Sequence, residues 1–349
     1  MKGAPTPGRR AHGGRPSMRD VAETAGVAMS SVSRVLSGHP DVSEDMRERV
    51  MVAVGHLGYS PDILAQSLRR QATMSIGFVV GDISNQLMAS IVKGAEGEFY
   101  SRNYSMLLAD SEGDAVRDAE HIRLFGQRRV DGLMLSVTAE DNPEMLAALA
   151  DTDVPCVAVD RELPARTRAG SVLSDHRSGM REAATHLLEL GHRRIGLILP
   201  GPMRPTRERK EGLRQAYADR GLPETYTVID NLLTLEETRA AVRRLLDLDE
   251  PPTALISGGN QMLAETLMEL HARDLRLGAD ISLVSCDTIP ATELHQPKIA
   301  VIRRDTVELG RRSAELLLRS LDGPTVPTTV TLATQFVPRP SCAPPPERR

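Results

Sequence analysis

Between Val21 and Leu36 the chain reads VAETAGVAMSSVSRVL, which sets three hydroxyls, Ser30, Ser31 and Ser33, beside one cation, Arg34. These are recognition groups. An arginine pairs with a guanine edge or a phosphate, and hydroxyls donate to phosphates and bases. A second set closes short apolar runs farther along: Asp82, Asp110, Asp160 and Asp287. Carboxylates at the carboxyl ends of parallel strands face the crevice where open α/β sheets take ligands. Groups arranged for catalysis are not found: there is no Walker loop, no GxSxG, no HExxH and no metal-spaced cluster among the nine histidines. His192, in GHRR, reads as structural. Cys156, Cys286 and Cys342 are far apart with no CxxC pair, which argues against a disulfide framework or a metal site and fits a reducing compartment. No catalytic residue, cofactor or metal is expected.

The recognition groups need short helices to hold them. Ser17-x-x-Asp20 is a capping-box pattern that opens a helix ending near Gly26; a second helix runs to about Leu36, before Gly38. Val21, Ala22, Ala25, Val32 and Val35 form the expected inner core of the pair. Ser43 opens a third helix with Glu44 and Asp45 in its first turn, and Met46, Val50, Val54 and Leu57 recur at helical spacing up to Gly58. Two short helices joined by a tight glycine turn form a helix-turn-helix, whose second helix enters the DNA major groove. From Ser75 onward the texture changes. SIGFVVGD, YSMLLAD, VDGLMLSV, VPCVAVD, RIGLILP, TYTVID, TALISGG and ISLVSCD alternate with amphipathic stretches. That alternation predicts parallel α/β sheets covered by helices on both faces, and its length favours two similar lobes with a cleft between them.

Charge divides in the same place. Residues 1–72 hold ten Lys and Arg against seven Asp and Glu, a net +3, whereas the remainder holds 33 against 40, a net −7. A basic head on an acidic body is expected when only the head meets a polyanion. The first 17 residues, rich in Gly, Pro and Arg, lack the apolar segment of a signal peptide, and no run of 18 apolar residues suggests a membrane span. A cytoplasmic location is expected.

MRDVAETAGVAMSSVSRVLSGHPDVSEDMRERVMVAVGHLGYSPDILAQSLRR resembles the head of the lactose/galactose-repressor (LacI/GalR) family of bacterial transcription regulators. SIGFVVGDISN, HLLELGHRRIGLILPGP, RERKEGLRQAY, LRLGADISLVSCDTIPATEL and ELGRRSAELLL continue the likeness in order, over residues 17–342. The resemblance implies a dimeric repressor with an all-α helix-turn-helix head and a two-lobed, periplasmic-binding-protein-like body. It places DNA contacts at Arg19, Met29, Ser30, Ser31, Ser33, Arg34 and Tyr59, and in a hinge helix at Gln66 and Leu68. In the family that hinge leucine wedges into the minor groove, trading unstacking for contact area. Ala28 stands where the family usually has a capping Ser, so the recognition helix is expected to begin later, at Ser30. Gln66 replaces the usual hinge Arg.

In the body, the resemblance nominates Asn85, Asp160, Arg209, Gly259, Asn260 and Asp287 for the effector. Carboxylates there accept from adjacent hydroxyls, and Arg and Asn donate to ring or carboxylate oxygens. The family's Asn-Asp pair becomes Gly259-Asn260, which removes a negative charge, while Arg161, Arg204 and Arg207 lie near cleft-forming loops. Fewer acids and more cations suggest a sugar acid or sugar phosphate. The expected layout is a disordered basic arm at 1–16, the head at 17–59, a hinge at 60–73, the effector and dimerisation domain at 74–342 and a tail at 343–349. Chain crossings between lobes are expected near 160–165, 288–292 and 322–326. The function expected is a sequence-specific, homodimeric repressor that binds a near-palindromic double-stranded operator under control of a sugar-like effector, without a membrane partner. The alternative is the same DNA-binding role with a degenerate cleft, controlled by a protein partner or not gated by a ligand.

Overall fold

The structure, a computed structural model, describes residues 16–60, 72–323 and 326–346. The chain divides into two compact units, residues 1–73 and 74–349.

In the first unit, helix α1 (Met18–Ala25) begins at Ser17, whose side chain and that of Asp20 form a reciprocal capping box. It ends at Gly26, which takes the left-handed conformation (φ 63°) that glycine adopts without a Cβ penalty. Helix α2 spans Met29–Leu36 and α3 spans Glu44–Leu57. The five predicted inner residues, Val21, Ala22, Ala25, Val32 and Val35, are buried, together with Val50, Ala53 and Tyr59. Arg49 of α3 donates to the carbonyls of Ala25 at 2.7 Å and Gly26 at 3.1 Å. A cation is thereby placed on the C-terminal end of α1, where the helix dipole favours it. One expectation fails: α2 begins at Met29 rather than Ser30, with Ala28 in the cap position and no side-chain oxygen bonded there. The Ala28 carbonyl accepts from Ser31 at 2.9 Å and Val32 at 3.2 Å, so the first turn closes on backbone bonds and on burial of Val32.

The second unit carries, in chain order, β1 (Ser75–Val80), α4 (Gln86–Ser101), β2 (Ser105–Asp110), α5 (Ala115–Gln127), β3 (Gly132–Ser136), α6 (Pro143–Ala150), β4 (Cys156–Val159) and β5 (Gly170–Ser174). There follow α7 (His176–Glu189), β6 (Ile195–Pro200), α8 (Arg204–Ala218), β7 (Thr227–Leu232), α9 (Leu235–Leu246), β8 (Ala254–Ser257), α10 (Asn260–Ala272), β9 (Ser282–Cys286) and α11 (Pro290–Leu294). The chain closes with β10 (Ala300–Arg303), α12 (Thr306–Asp322), β11 (Thr329–Leu332) and β12 (Gln335–Val337). One sheet has the order β11-β5-β4-β3-β1-β2, the other β12-β10-β9-β8-β6-β7. All pairings are parallel except β10 with β12.

Each sheet is covered on both faces. Ile76, Phe78 and Val80 of β1 point to the core under α4 and α12, while the intervening Val79 points to the core under α5 and α6. Helices α7 and α8 cover one face of the second sheet, α9 and α10 the other. Helices α4 and α12 touch backbone to backbone through two glycines. A Cβ on Gly94 would lie 2.0 Å from the Val307 carbonyl oxygen, and one on Gly310 would lie 1.9 Å from that of Ile91.

The chain passes between the lobes three times, at residues 174–176, 303–306 and 332–335. The expected crossings near 160–165, 288–292 and 322–326 are therefore corrected. After Asp160, after Asp287 and after α12 the chain first adds another strand, β5, β10 or β11, to the sheet it is already in. The tail expected at 343–349 is anchored at its start and just before it. The Ser341 hydroxyl, fully buried, accepts from Ala300 N–H and donates to the Leu283 carbonyl. The Ala343 carbonyl lies 2.9 Å from His192 Nε2, which gives His192 the structural role expected of it. Among the described residues no helix is long and apolar enough to cross a membrane.

Candidate functional site

Two sets of side chains carry the recognition chemistry, one in each unit. In the head, α2 turns Val32 and Val35 inward and leaves Met29, Ser30 and Arg34 exposed, with Ser31 and Ser33 half-buried. Residues 29, 30, 33 and 34 share one face at helical spacing. Arg34 has no ion pair among the described residues, so its guanidinium is available to a phosphate or base edge. Arg19 is exposed and sits 3.3 Å from Glu23 on the same helix. Tyr59 is a correction to the expected DNA contacts: its ring is buried among Val21, Val32 and Val50, because it closes the small core after α3 ends. Gln66 and Leu68, residues 61–71 more generally, and the arm before residue 16 lie outside the described residues.

In the body, the loops after β1, β3, β4 and β5 of one lobe meet those after β6, β8, β9 and β10 of the other. Asp160 follows β4 and Asp287 follows β9, both with positive φ, 54° and 81°. Neither caps a helix. Each backbone N–H donates to the neighbouring strand, Asp160 to Val172 O at 2.7 Å and Asp287 to Ile302 O at 2.9 Å, and this sharp turn aims the carboxylates into the cleft. Asp160 accepts from Ser174 N–H at 2.9 Å and lies 2.9 Å from His176 Nε2. Arg304, just past β10, spans the two acids. Its Nη1 donates to Asp160, and its Nε and Nη2 donate to the two oxygens of Asp287.

Electrostatics follow from this packing. Burial opposes ionisation of Asp160, but His176 and Arg304 outweigh it and hold its carboxyl well below the usual range. Burial likewise opposes the charge on Arg304, and Asp287 and Asp160 more than offset it. His176 is pushed down to about 4, chiefly by burial, with Arg209 adding repulsion against the attraction of Asp160. It is a neutral ring at neutral pH.

The remaining expected residues gather at the same mouth. Asn85 caps α4 by accepting from Leu87 N–H and also accepts from Asn260 Nδ2 across the cleft, each at 3.0 Å. Gly259 is the residue before α10, and Asn260 opens that helix. Gln261 reaches Asp82 across the same gap at 2.5 Å. Arg209 does not pair with its chain neighbours, since Glu208 binds Arg177 and Glu211 binds Arg214. It is buried and donates to the Gly258 carbonyl at 2.6 Å. Arg204 is buried and donates to the Ser174 carbonyl at 3.0 Å, while its backbone N–H meets both oxygens of Glu140. Half-exposed Arg207 pairs with Glu140 at 2.8 Å. Arg161 spends its donors on the Val137 and Asp160 carbonyls at 2.7 and 2.9 Å.

Arg304, His176 and Glu140 were not identified from sequence. Nothing in the spacing of VIRRDTVELG distinguishes Arg304 from the charged start of a helix. The available signal was indirect: two strand-end aspartates in corresponding places need a cation between them.

Residues 17–62 match the description "Bacterial regulatory proteins, lacI family", and residues 184–342 match "Periplasmic binding protein-like domain". The HTH-type transcriptional repressor PurR of Haemophilus influenzae (strain PittEE) is 31% identical over 311 residues, covering 87% of this chain and 91% of that protein. The lac repressor dimer bound to operator and an anti-inducer superposes with a TM-score of 0.83 at 25% identity, over 95% of this chain and 100% of that one. A LacI-family regulator from Enterococcus faecium with bound ribose superposes with a TM-score of 0.69 at 25% identity, over 77% and 99% of the two chains.

Proposed function

We propose, on the premise that the chain belongs to the lacI family of bacterial regulatory proteins and is a DNA-binding transcriptional repressor, that its effector is a small acidic sugar derivative bound between the lobes of the body. The observation that carries this reading is the pair Arg204 and Arg209. Both guanidinium groups are buried, each donates to a single backbone carbonyl, and neither has a carboxylate partner among the described residues. A buried cation without a counter-ion is costly, so an anionic group placed there recovers part of that cost and is bound bidentately. Asn85, Asn260, Asp160 and Asp287 would order the hydroxyls of the same molecule. A ribose-bound relative supports the sugar-like half of the proposal, and the arginines support the acidic half.

The repressor is inferred to act in the cytoplasm as a homodimer on a near-palindromic operator. The dimeric operator complex of a relative supports this. So do Leu233 and Leu235, which stand exposed together at the start of α9. Sedimentation equilibrium of the full chain checks it, and a monomer at micromolar concentration would refute it.

The effector is tested by titrating the protein with aldonic acids, uronic acids, sugar phosphates and their neutral parents in a calorimeter. An acidic member is expected to bind at least about tenfold more tightly than its neutral parent, and Arg209→Ala to remove most of that preference, consistent with the 1.5–3 kcal/mol typical of a charged hydrogen bond. Equal binding of neutral and acidic sugars would sink the proposal. Binding of none would favour the second reading, a cleft that takes no small molecule, which the occupation of Asp160 and Asp287 by Arg304 supports.

A further inference from the structure

The two lobes end their ligand-facing edges in the same way. In each, an aspartate follows one strand, the next strand runs beside it, and the first residues past that strand return to the aspartate. His176 returns to Asp160 in one lobe and Arg304 to Asp287 in the other. Only Arg304 also reaches across, to Asp160 of the opposite lobe. We propose that Arg304 is a tethered latch that holds the effector cleft closed with no small molecule bound, supplying between Asp160 and Asp287 the contacts a ligand would otherwise supply. The inference rests on the reading of this cleft as the effector site.

Three features support it. Arg304 is the cation seated between two buried carboxyl groups from opposite lobes, so its removal leaves Asp160 and Asp287 facing each other across the gap with no positive charge between them. Arg304 sits on a crossover segment, so its own position is tied to the lobe hinge rather than to a mobile loop. Among the described residues the other cross-cleft bonds join no two buried charges: Asn85 with Asn260, Asp82 with Gln261, Arg204 through its guanidinium to the Ser174 carbonyl and through its amide to Glu140, and half-exposed Arg207 with Glu140. Bonds of that kind contribute modestly, whereas removing one partner of a buried ion pair leaves an uncompensated charge. An effector whose hydroxyls bond to Asp160 and Asp287 competes with this guanidinium for the two carboxylates, so effector binding and latching by Arg304 oppose each other.

Hydrogen exchange on the full chain, free of DNA and sugar, tests the latch. The reporter is the Arg204 amide, which bonds across the cleft to Glu140. In Arg304→Gly and Arg304→Gln this amide is expected to exchange at least about tenfold faster, while amides of β8 in the core of one lobe keep their protection. Millimolar methylguanidinium chloride is expected to restore the slow rate in Arg304→Gly, which leaves room for it, and not in Arg304→Gln. Sodium chloride at equal concentration restores neither. Unchanged exchange at Arg204 overturns the latch. So does a uniform loss of protection through both lobes, or a loss in Arg304→Gly that methylguanidinium leaves untouched. Should Arg304→Gly not fold, Arg304→Gln decides alone, by selective loss against unchanged or uniform exchange. Failure to find any effector would sink the effector reading and leave these exchange rates as they are.

Discussion

Arg34 stands exposed on α2 between the buried Val32 and Val35, so its removal costs the head no packing. Arg34→Ala is expected to weaken operator binding by about 1–3 kcal/mol with an unchanged circular dichroism spectrum. Undiminished binding would remove Arg34 from the proposed interface. His176 makes a prediction of the opposite kind, about stability. Its ring is held at about 4, mainly by burial, against an ordinary value of 6.5. The unfolded chain therefore takes up a proton between those values that the folded chain refuses. The stabilisation is complete above pH 6.5 and is lost as the pH falls through the window. The thermal midpoint of the body should drop from pH 7 to pH 5, and His176→Gln, whose amide nitrogen still donates toward Asp160, should flatten that drop. Equal slopes for the two proteins would show that His176 does not titrate as described. The nominated residues Asp160, Arg209, Asp287, Asn85 and Asn260 do converge on one cleft, because strand-end positions in parallel sheets are fixed by the strands themselves. Arg304 was not legible, because its role depends on a contact with Asp160, 144 residues away in the chain.

At the scale of elements, α2 lacks the oxygen that caps α1 and α3. Ala28 has the extended conformation of a cap residue, φ −72° and ψ 149°, so a serine there needs no backbone change. Ala28→Ser should stabilise the head by about 1 kcal/mol. A lower thermal midpoint for residues 16–60 would show that the position is not a functioning cap. The eight strands read from sequence all form; six are apolar runs buried on both faces, while β2 and β7 are sheet-edge strands that stay largely exposed or half-buried. β5, β10, β11 and β12 were missed. They are three to five residues long, and β11 and β12 are half-exposed edge strands, so neither length nor hydrophobicity separates them from loops. Missing them is what displaced the expected crossings by about one strand and its connection. Tyr59 was misassigned for a related reason: an aromatic residue beside a basic head suits either DNA or core, and only packing decides.

At the scale of the molecule, a ligand in the body changes operator affinity only if it distinguishes two states of a connecting element. Residues 60–73 are the proposed connection, with Leu68 as the minor-groove wedge. Leu68→Ala is expected to lose specific affinity and DNA bending, to keep salt-dependent non-specific binding, and to respond less to effector. Full bending in this variant, measured by gel mobility or fluorescence transfer, would place the switch elsewhere. The three crossings between lobes carry a consequence for how the protein is made. The lobe that begins at Ser75 owns β11 and is covered by α12, whose Leu309, Ala314, Leu317 and Leu318 complete its core. Those residues leave the ribosome after β6 to β10 of the other lobe. The head can therefore fold, and meet DNA, while the lobe next to it in sequence still exposes one apolar face of its sheet. That lobe cannot close before the other has been almost wholly synthesised. Nascent chains arrested before Thr306 should accordingly hold a folded head and recruit chaperones to the first lobe, and release past Val337 should end both the exposure and the recruitment.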